Sequence, residues 1–199
     1  MDSIFYISWV SIETTMCPHM FHEAEKERLV GEERRRMQPI KEILDRTSVR
    51  PGDLVADLGC GNGYLSVPMA QSGANVIAVD RQREMLQDLV KRGKGMDSIM
   101  PVQANLPQVP IRSDAVDHIF LVNIFHELKD KDGLIRECSR ILRPGGVLTL
   151  VEFQKRPTSF GPPMEERIDE RDIPDMFVGF TEDDRVSLPE YYQFELRKA

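Results

Sequence analysis

Short apolar runs alternate with amphipathic segments along most of the chain. Each run has the length of a buried strand and ends in glycine or polar residues, while the segments between runs carry apolar residues at helical spacing. Strand–helix units of this length predict a parallel sheet with helices on both faces and right-handed connections. The predicted strands are 54–58, 76–79, 98–102, 116–122 and 146–153, and the predicted helices are 63–72, 82–92 and 131–142.

The two ends of the chain have different patterns. Residues 20–44 have a helical pattern with a densely charged middle, and Pro39 is suited to open the second of two helices. After Phe153 the chain becomes rich in proline, glycine and charge, which predicts a loop. A short helix and a terminal hairpin are expected beyond it, at 165–178 for the helix and at 185–188 and 191–196 for the two strands.

The composition indicates one globular domain with an acidic balance. The 199 residues are 41% hydrophobic and 30% charged, which is sufficient for a full core. The formal net charge of −7 argues against nucleic acid as a partner, since gripping phosphates requires a basic face. Cysteines occur only at 17, 60 and 138 and form no disulfide framework, so reduced thiols and a cytoplasmic location are expected.

The first fifteen residues are apolar, but they are too few to span a membrane. No basic region precedes them, as one would in a secretory signal. A translation start at Met16 or Met20 is therefore an alternative to Met1.

The most informative segment is the glycine-rich turn that follows the first strand of the sheet. Gly59, Gly61 and Gly63 stand at every second position, a spacing that differs from the G-x-G-x-x-G of dinucleotide-binding folds. Asp57, just before the turn, is suited to pair with an ammonium group rather than a pyrophosphate. Asp80, at the end of the next strand, is placed to hold a ribose diol. This combination suits S-adenosylmethionine (SAM).

The same residues resemble the class I SAM-dependent methyltransferases, and the resemblance is carried by four motifs in order between residues 36 and 153. It implies an α/β, Rossmann-like, doubly wound and mostly parallel seven-stranded sheet with helices on both faces and an antiparallel terminal strand. A weaker likeness to small archaeal and bacterial members continues through 160–167. The four motifs are 55–63, Asp80, 114–123 and 142–148.

The resemblance implies a set of cofactor-binding residues, several of which have a structural alternative. Asp80 can equally cap the following helix, and Asp57 can serve only its own turn. Asn105 stands where many members have an acid that accepts from the adenine amino group. The implied cofactor residues are Asp57, Gly59, Cys60, Gly61, Gly63, Asp80, Arg81, Asn105, Leu106 and Asn123, with Gln82 beside the adenine edge and Tyr64 near the methionine end.

The expected activity is transfer of the SAM methyl group by SN2 displacement to a small-molecule acceptor, with S-adenosylhomocysteine as product. His126 is the candidate general base, although a histidine there can also simply orient its loop. An RNA or protein methyltransferase and a non-catalytic SAM-binding regulator remain alternatives. An NAD-dependent oxidoreductase is disfavoured because the glycine spacing differs.

The N-terminal part of the chain allows two further interpretations. Cys17, His19 and His22 include good zinc ligands, but only three lie together, so no metal site is expected. Residues 1–35 are expected to form an extension with a lid-like helix, and residues 36–199 the SAM-binding domain.

Overall fold

The computed structural model describes residues 31–158 and 161–199, in which each long apolar run of the sequence forms a strand. Two short helices precede the sheet, and strands and helices then alternate up to the fifth strand, except that a loop without a helix joins the third strand to the fourth. The strands are β1 Leu54–Leu58, β2 Asn75–Asp80, β3 Ile99–Gln103, β4 Val116–Val122, β5 Leu142–Phe153, β6 Phe180–Ser187 and β7 Tyr191–Lys198. The helices are α1 Glu32–Met37, α2 Ile40–Asp45, α3 Ser66–Gln71, α4 Arg83–Arg92, α5 Lys131–Ile141 and α6 Ile173–Met176. The start-site alternatives and the Cys17, His19 and His22 cluster lie outside the described residues.

The strands form one sheet in the order β3-β2-β1-β4-β5-β7-β6. Strands β1 to β5 are parallel, whereas β7 pairs antiparallel with both β5 and β6, which confirms the predicted seven-stranded, doubly wound architecture. The strand order reverses between β1 and β4. The carboxyl ends of these two strands therefore leave a crevice between them, where ligands bind in open α/β sheets.

Side chains that alternate along the strands build two hydrophobic cores, one on each face of the sheet. Val55 and Phe120 pack with residues of α2, α3 and α4 on one face. Ala56 and Ile119 pack on the other face with α5 and with aromatic residues of β7. Strands β1, β2 and β4 and the second half of β5 are buried on both faces, which explains why they read as near-continuous apolar runs.

Several predicted boundaries are corrected by the structure. The helix expected from residue 63 begins at Ser66, because residues 61–65 form turns that complete the glycine segment. The helix expected at 165–178 is instead two 3-10 turns and the four-residue α6.

The terminal hairpin is longer than predicted. β6 is an edge strand whose side chains are mostly exposed and charged, so it has no apolar alternation to reveal its length. The opposite edge is β3, which contains Pro101, as an edge strand can. Within the described ranges, no helix is long and apolar enough to cross a bilayer.

Candidate functional site

The glycine-rich turn lies at the carboxyl end of β1, in the crevice where the strand order reverses. Gly59 and Gly63 have φ values of +79° and +84°, which side chains of L-amino acids rarely adopt. A Cβ on Gly63 would lie 2.2 Å from Cδ1 of Leu89, a side chain of α4 that is fully buried. Glycine is therefore required here both by backbone conformation and by the close approach of α4.

The turn is anchored to the neighbouring strand by its own backbone. The N–H groups of Gly59 and Cys60 both donate to the Val79 carbonyl, at 2.8 and 3.0 Å. The N–H of Gly63 donates to the Cys60 carbonyl at 3.0 Å. These bonds tie the turn to the end of β2 and to itself, which fixes its conformation.

Asp80 ends β2 beside this turn and ties two elements together. One carboxylate oxygen accepts the Gly61 N–H at 2.9 Å, and the other accepts the Gln82 N–H at 2.8 Å, at the start of α4. Burial raises the pKa of Asp80, and the two backbone hydrogen bonds act in the opposite direction. Each oxygen of an ionised carboxylate has a second acceptor position, so Asp80 can still receive two hydroxyl groups.

Asp57 lies inside the crevice and is 3% exposed. Its carboxylate accepts the hydroxyl hydrogen of Ser66, at the first position of α3. Burial raises its pKa to about 6, while the Ser66 hydrogen bond and the positive charge of Arg34 act to lower it. The positive charge of Arg34, which lies on α1, thus acts on Asp57, an effect that the sequence pattern does not predict.

Residues 31–38, which we call the lid segment, cover one side of the crevice. The Arg34 guanidinium lies 4.0 Å from the centroid of the Tyr64 ring. The Tyr64 hydroxyl donates to the Gln38 carbonyl at 2.6 Å. Arg34 and Gln38 are both buried, and the sequence offered no signal for either, because they lie in a charge-dense helical stretch.

Asn123 joins the lid segment to the end of β4. Its side-chain amide exchanges two hydrogen bonds with that of Gln38, at 3.0 and 2.7 Å. Its φ is +56°, so the chain turns sharply as it leaves the sheet. The next residue, Ile124, packs on the glycine turn, since a Cβ on Gly59 would lie 2.7 Å from its Cγ1. The loop after β4 is therefore part of the crevice wall.

The residues expected near the adenine follow β3, at the other side of Asp80. Ala104 N–H donates to the Asp80 carbonyl at 3.1 Å, and the Gln103 side chain donates to the Arg81 carbonyl at 3.1 Å. Asn105 is exposed and Leu106 is half-buried, and a cis peptide bond follows Leu106. The structure thus brings Arg81, Asn105 and Leu106 to the same edge of the sheet as Asp80.

His126 lies in a 3-10 turn after β4 and pairs with Glu152 of β5. Its Nδ1 lies 2.7 Å from one carboxylate oxygen, and its backbone N–H donates to the other at 3.2 Å. Glu152 was missed from sequence, although one signal was present: it is the single charged residue inside the apolar run of β5. A carboxylate at such a position needs a partner, and here the partner is His126.

The loop after β5 is organised by Arg167, a buried arginine that donates hydrogen bonds to neutral groups. Its guanidinium donates to the carbonyls of Pro162, Gln154 and Arg156 and to the Thr158 hydroxyl, at 2.7 to 2.9 Å. It also lies 5.7 Å from the Phe153 ring centroid. Arg167 therefore fixes the position of this loop relative to the end of β5.

Cysteine and metal chemistry gain no support from the described residues. Cys60 and Cys138 are buried, and burial raises the pKa of both thiols, which keeps them protonated and unreactive. Within 31–158 and 161–199, no group of three His, Cys, Asp or Glu residues is arranged to hold a metal ion.

The chemistry of these groups fits SAM. Asp57 and Arg34, a carboxylate and a guanidinium at one end of the crevice, complement the ammonium and carboxylate of an amino acid. Asp80 retains acceptor positions for a ribose diol. The N–H groups of the turn at Gly59, Cys60, Gly61 and Gly63 already have partners, so these four groups are not free to cradle a pyrophosphate.

Comparisons with known proteins agree with this geometry. Residues 56–150 match the family model described as a methyltransferase domain. A ubiquinone biosynthesis O-methyltransferase from Xanthomonas oryzae pv. oryzae is 32% identical over 62% of this chain and 53% of its own length. A ubiquinone/menaquinone biosynthesis C-methyltransferase from Hahella chejuensis is 34% identical over 56% of this chain and 47% of its own. The chain spans about half the length of these curated relatives.

Solved structures share the fold over a larger part of the chain. A SAM-dependent methyltransferase from Aquifex aeolicus superposes with a TM-score of 0.83, covering 90% of this chain and 100% of that one at 21% identity. A protein described as a type 11 methyltransferase, from Sulfolobus solfataricus, gives a TM-score of 0.64 over 73% of this chain and 84% of its own at 28% identity. These matches show a methyltransferase domain at residues 56–150, and together with the solved structures they support a class I SAM-dependent methyltransferase.

Proposed function

We propose that this protein transfers the methyl group of SAM to a small-molecule acceptor. The observation that carries the proposal is the glycine turn at the strand-order reversal, joined by backbone hydrogen bonds to Asp80. The acidic net charge of −7 favours a small acceptor over nucleic acid. The curated relatives are named as methyltransferases of quinone biosynthesis, which supports the same class of acceptor.

The residues around the crevice have separate proposed roles in holding the cofactor. Asp80 accepts the two ribose hydroxyls, and Asn105 with Leu106 borders the adenine. Asp57 and Arg34 hold the ammonium and carboxylate of the methionine end, and Asn123 closes the crevice near it. The turn itself, with Cys60 in it, contributes shape rather than side-chain chemistry.

When bound, SAM supplies a sulfonium-activated methyl group, so the protein's main task is to place the acceptor in line and exclude water. Such positioning can supply about 7–11 kcal/mol of the barrier. The proposed acceptor wall consists of the loop after β4, the loop after β5 that Arg167 holds, and the lid segment.

The lid segment is proposed to open for cofactor entry. Its helix α1 continues past residue 35, where the boundary of the SAM-binding domain was expected. Its contacts with the crevice include the Gln38–Asn123 amide pair, the hydrogen bond from the Tyr64 hydroxyl and the stacking contact of Arg34. Breaking these contacts exposes the crevice without disturbing the sheet.

The test is calorimetric titration of the purified chain with SAM, S-adenosylhomocysteine and NADH in parallel. We expect the first two to bind and NADH to give no signal. Labelled SAM is then incubated with separated small-metabolite, RNA and protein fractions of a cell extract. Label in the small-metabolite fraction supports the proposal. Label only in RNA or protein refutes the acceptor class, and SAM binding without transfer to any fraction indicates a regulator.

A further inference from the structure

His126 and Glu152 form a buried pair with more contacts than are needed to orient the loop after β4. Both side chains are nearly inaccessible, with 5% and 2% of their surface exposed. The Glu152 carboxylate engages the ring nitrogen Nδ1 with one oxygen and the backbone N–H of the same residue with the other. Two contacts from one carboxylate fix the backbone and the ring of His126 together.

The second ring nitrogen of His126 has a different environment. Among the described residues, no group hydrogen-bonds to Nε2, and Nε2 is not one of the fully buried polar atoms that lack a partner. This nitrogen therefore retains a small exposed surface and an open hydrogen-bonding position. An ionised carboxylate accepts and does not donate, so in neutral His126 the proton lies on Nδ1 and the lone pair on Nε2.

The location of the pair links it to the crevice. His126 is two residues beyond Ile124, the residue that packs on Gly59 of the cofactor turn. Glu152 is next to Phe153, whose ring meets the His126 ring edge-on at 6.4 Å between centroids. The open nitrogen is thus carried by the loop that borders the acceptor side of the crevice.

We propose that Glu152 is the positioning residue for His126, which it holds with Nε2 as the proton acceptor for a weakly acidic hydroxyl of the methyl acceptor. This inference rests on the proposed function. Its substrate class is a phenol- or enol-type hydroxyl, with a pKa of about 10 as in tyrosine. An alcohol is too weak an acid for imidazole to assist effectively.

The step balances in atoms and charge. His126 Nε2 takes the hydroxyl proton, and the acceptor oxygen uses the freed electron pair to bond the methyl carbon. The carbon–sulfur bond breaks at the same time, with its electron pair remaining on sulfur. One positive charge is transferred from the sulfonium to the imidazolium, whose Nδ1–H donates to Glu152.

The charges around His126 favour this role. Burial by itself lowers the pKa of His126, whereas the carboxylates of Glu152, Glu127 and Glu166 raise it, and the net shift is upward. Lys131 donates to the His126 and Leu128 carbonyls and lies near Glu152, and its charge partly offsets the acids. Tyr192 also lies near Glu152, and burial raises the pKa of its hydroxyl, which keeps it neutral.

Glu152→Gln is the central variant, because glutamine has the same shape but can donate to Nδ1 and so no longer selects one tautomer. Glu195→Gln is the matched control: Glu195 is also buried and takes two hydrogen bonds, but its partners are Thr149 and Gln193. His126→Gln removes the base itself. SAM binding of each variant is measured by calorimetry, so that loss of the cofactor is distinguished from loss of the base.

The first readout needs no acceptor. Nitrogen-15 NMR of His126 in the wild-type full chain should show the Nδ1–H tautomer and an elevated pKa. In E152Q we expect a mixture of His126 tautomers and a lower His126 pKa. In E195Q the tautomer and the pKa of His126 should be the same as in wild type. A wild-type Nε2–H tautomer, or a His126 signal unaffected by E152Q, would overturn the inference even if SAM binds normally.

The second readout is methylation of 3,4-dihydroxybenzoate, a catechol probe, and of small metabolites from a cell extract. We expect kcat to fall about 10–100-fold in E152Q and about 100-fold or more in H126Q, while the KM for SAM changes little. The activity of wild type should rise with pH through the pKa of His126, and this midpoint should move to lower pH in E152Q.

The alternative outcomes separate the inference from the proposed function. Equal rates in wild type and E152Q overturn the positioning role. Normal SAM binding without any methylated hydroxyl product overturns the substrate class. Absence of SAM binding in wild type refutes the proposed function, while the NMR result still decides whether Glu152 controls the tautomer.

Discussion

Replacing Gly63 by alanine tests whether the cofactor turn is held by close packing against α4 or only by backbone conformation. Gly63 has φ +84°, and its added Cβ would lie 2.2 Å from Leu89 Cδ1 and 3.4 Å from Val67 Cγ2. Leu89 is fully buried, so it cannot move aside into solvent. Alanine must therefore either shift the turn or displace α4.

The expected cost has two parts. A left-handed backbone costs an alanine about 1–2 kcal/mol, and overpacking a filled core costs about 1–3 kcal/mol more. Gly95 allows the two costs to be measured separately, because it has the same φ of +84° but nothing lies within 4 Å of its Cβ position. We expect G63A to lower the free energy of unfolding by about 2–5 kcal/mol and G95A by only about 1–2 kcal/mol.

Urea denaturation followed by far-ultraviolet circular dichroism measures both values. The double variant with Leu89→Ala completes a mutant cycle, in which the cost of G63A should shrink because the clashing atom is gone. Equal losses in G63A and G95A, or a cost of G63A that persists without the Leu89 side chain, would refute the packing argument and leave only backbone strain.

Three further predictions concern charged groups. Asp80→Ala should weaken SAM binding by about 2–3 kcal/mol in calorimetry, since the ribose loses a charged acceptor; unchanged affinity would remove Asp80 from the cofactor site. Arg34→Met should weaken binding of S-adenosylhomocysteine but not of methylthioadenosine, which lacks the amino acid end; equal losses for both would point to a lid defect. Burial raises the pKa of Glu195 to about 7 from 4.5, so its contribution to stability is complete below about pH 4.5 and is lost as pH rises through 7. Between pH 5 and 8, the free energy of unfolding measured by urea titration should fall by on the order of 2–3 kcal/mol less in Glu195→Gln than in wild type. An equal fall in both proteins would contradict the raised pKa.

Local patterns determined the central part of the fold. Strands buried on both faces must be apolar along their length, so β1, β2, β4 and β5 were visible as runs, and the strand–helix alternation allowed few topologies. The edge strand β6 was only partly found, because side chains on both of its faces are mostly exposed and several are charged, which leaves no alternation to detect. The helix after the glycine turn was predicted too early, since propensity does not show where a ligand-binding turn ends.

The sequence by itself determined the cofactor turn. Its three glycines and two carboxylates lie within one β-α-β unit, so their positions do not depend on contacts with distant segments. Only the tertiary structure decided which residues complete the site. Glu152 meets His126 because β5 lies beside β4 in the sheet, and Gln38 meets Asn123 across 85 positions of sequence. The charge of Arg34 acts on Asp57 because the lid segment packs beside the turn, 23 positions away along the chain. Such contacts depend on how elements pack, and packing is a property of the whole chain rather than of any segment.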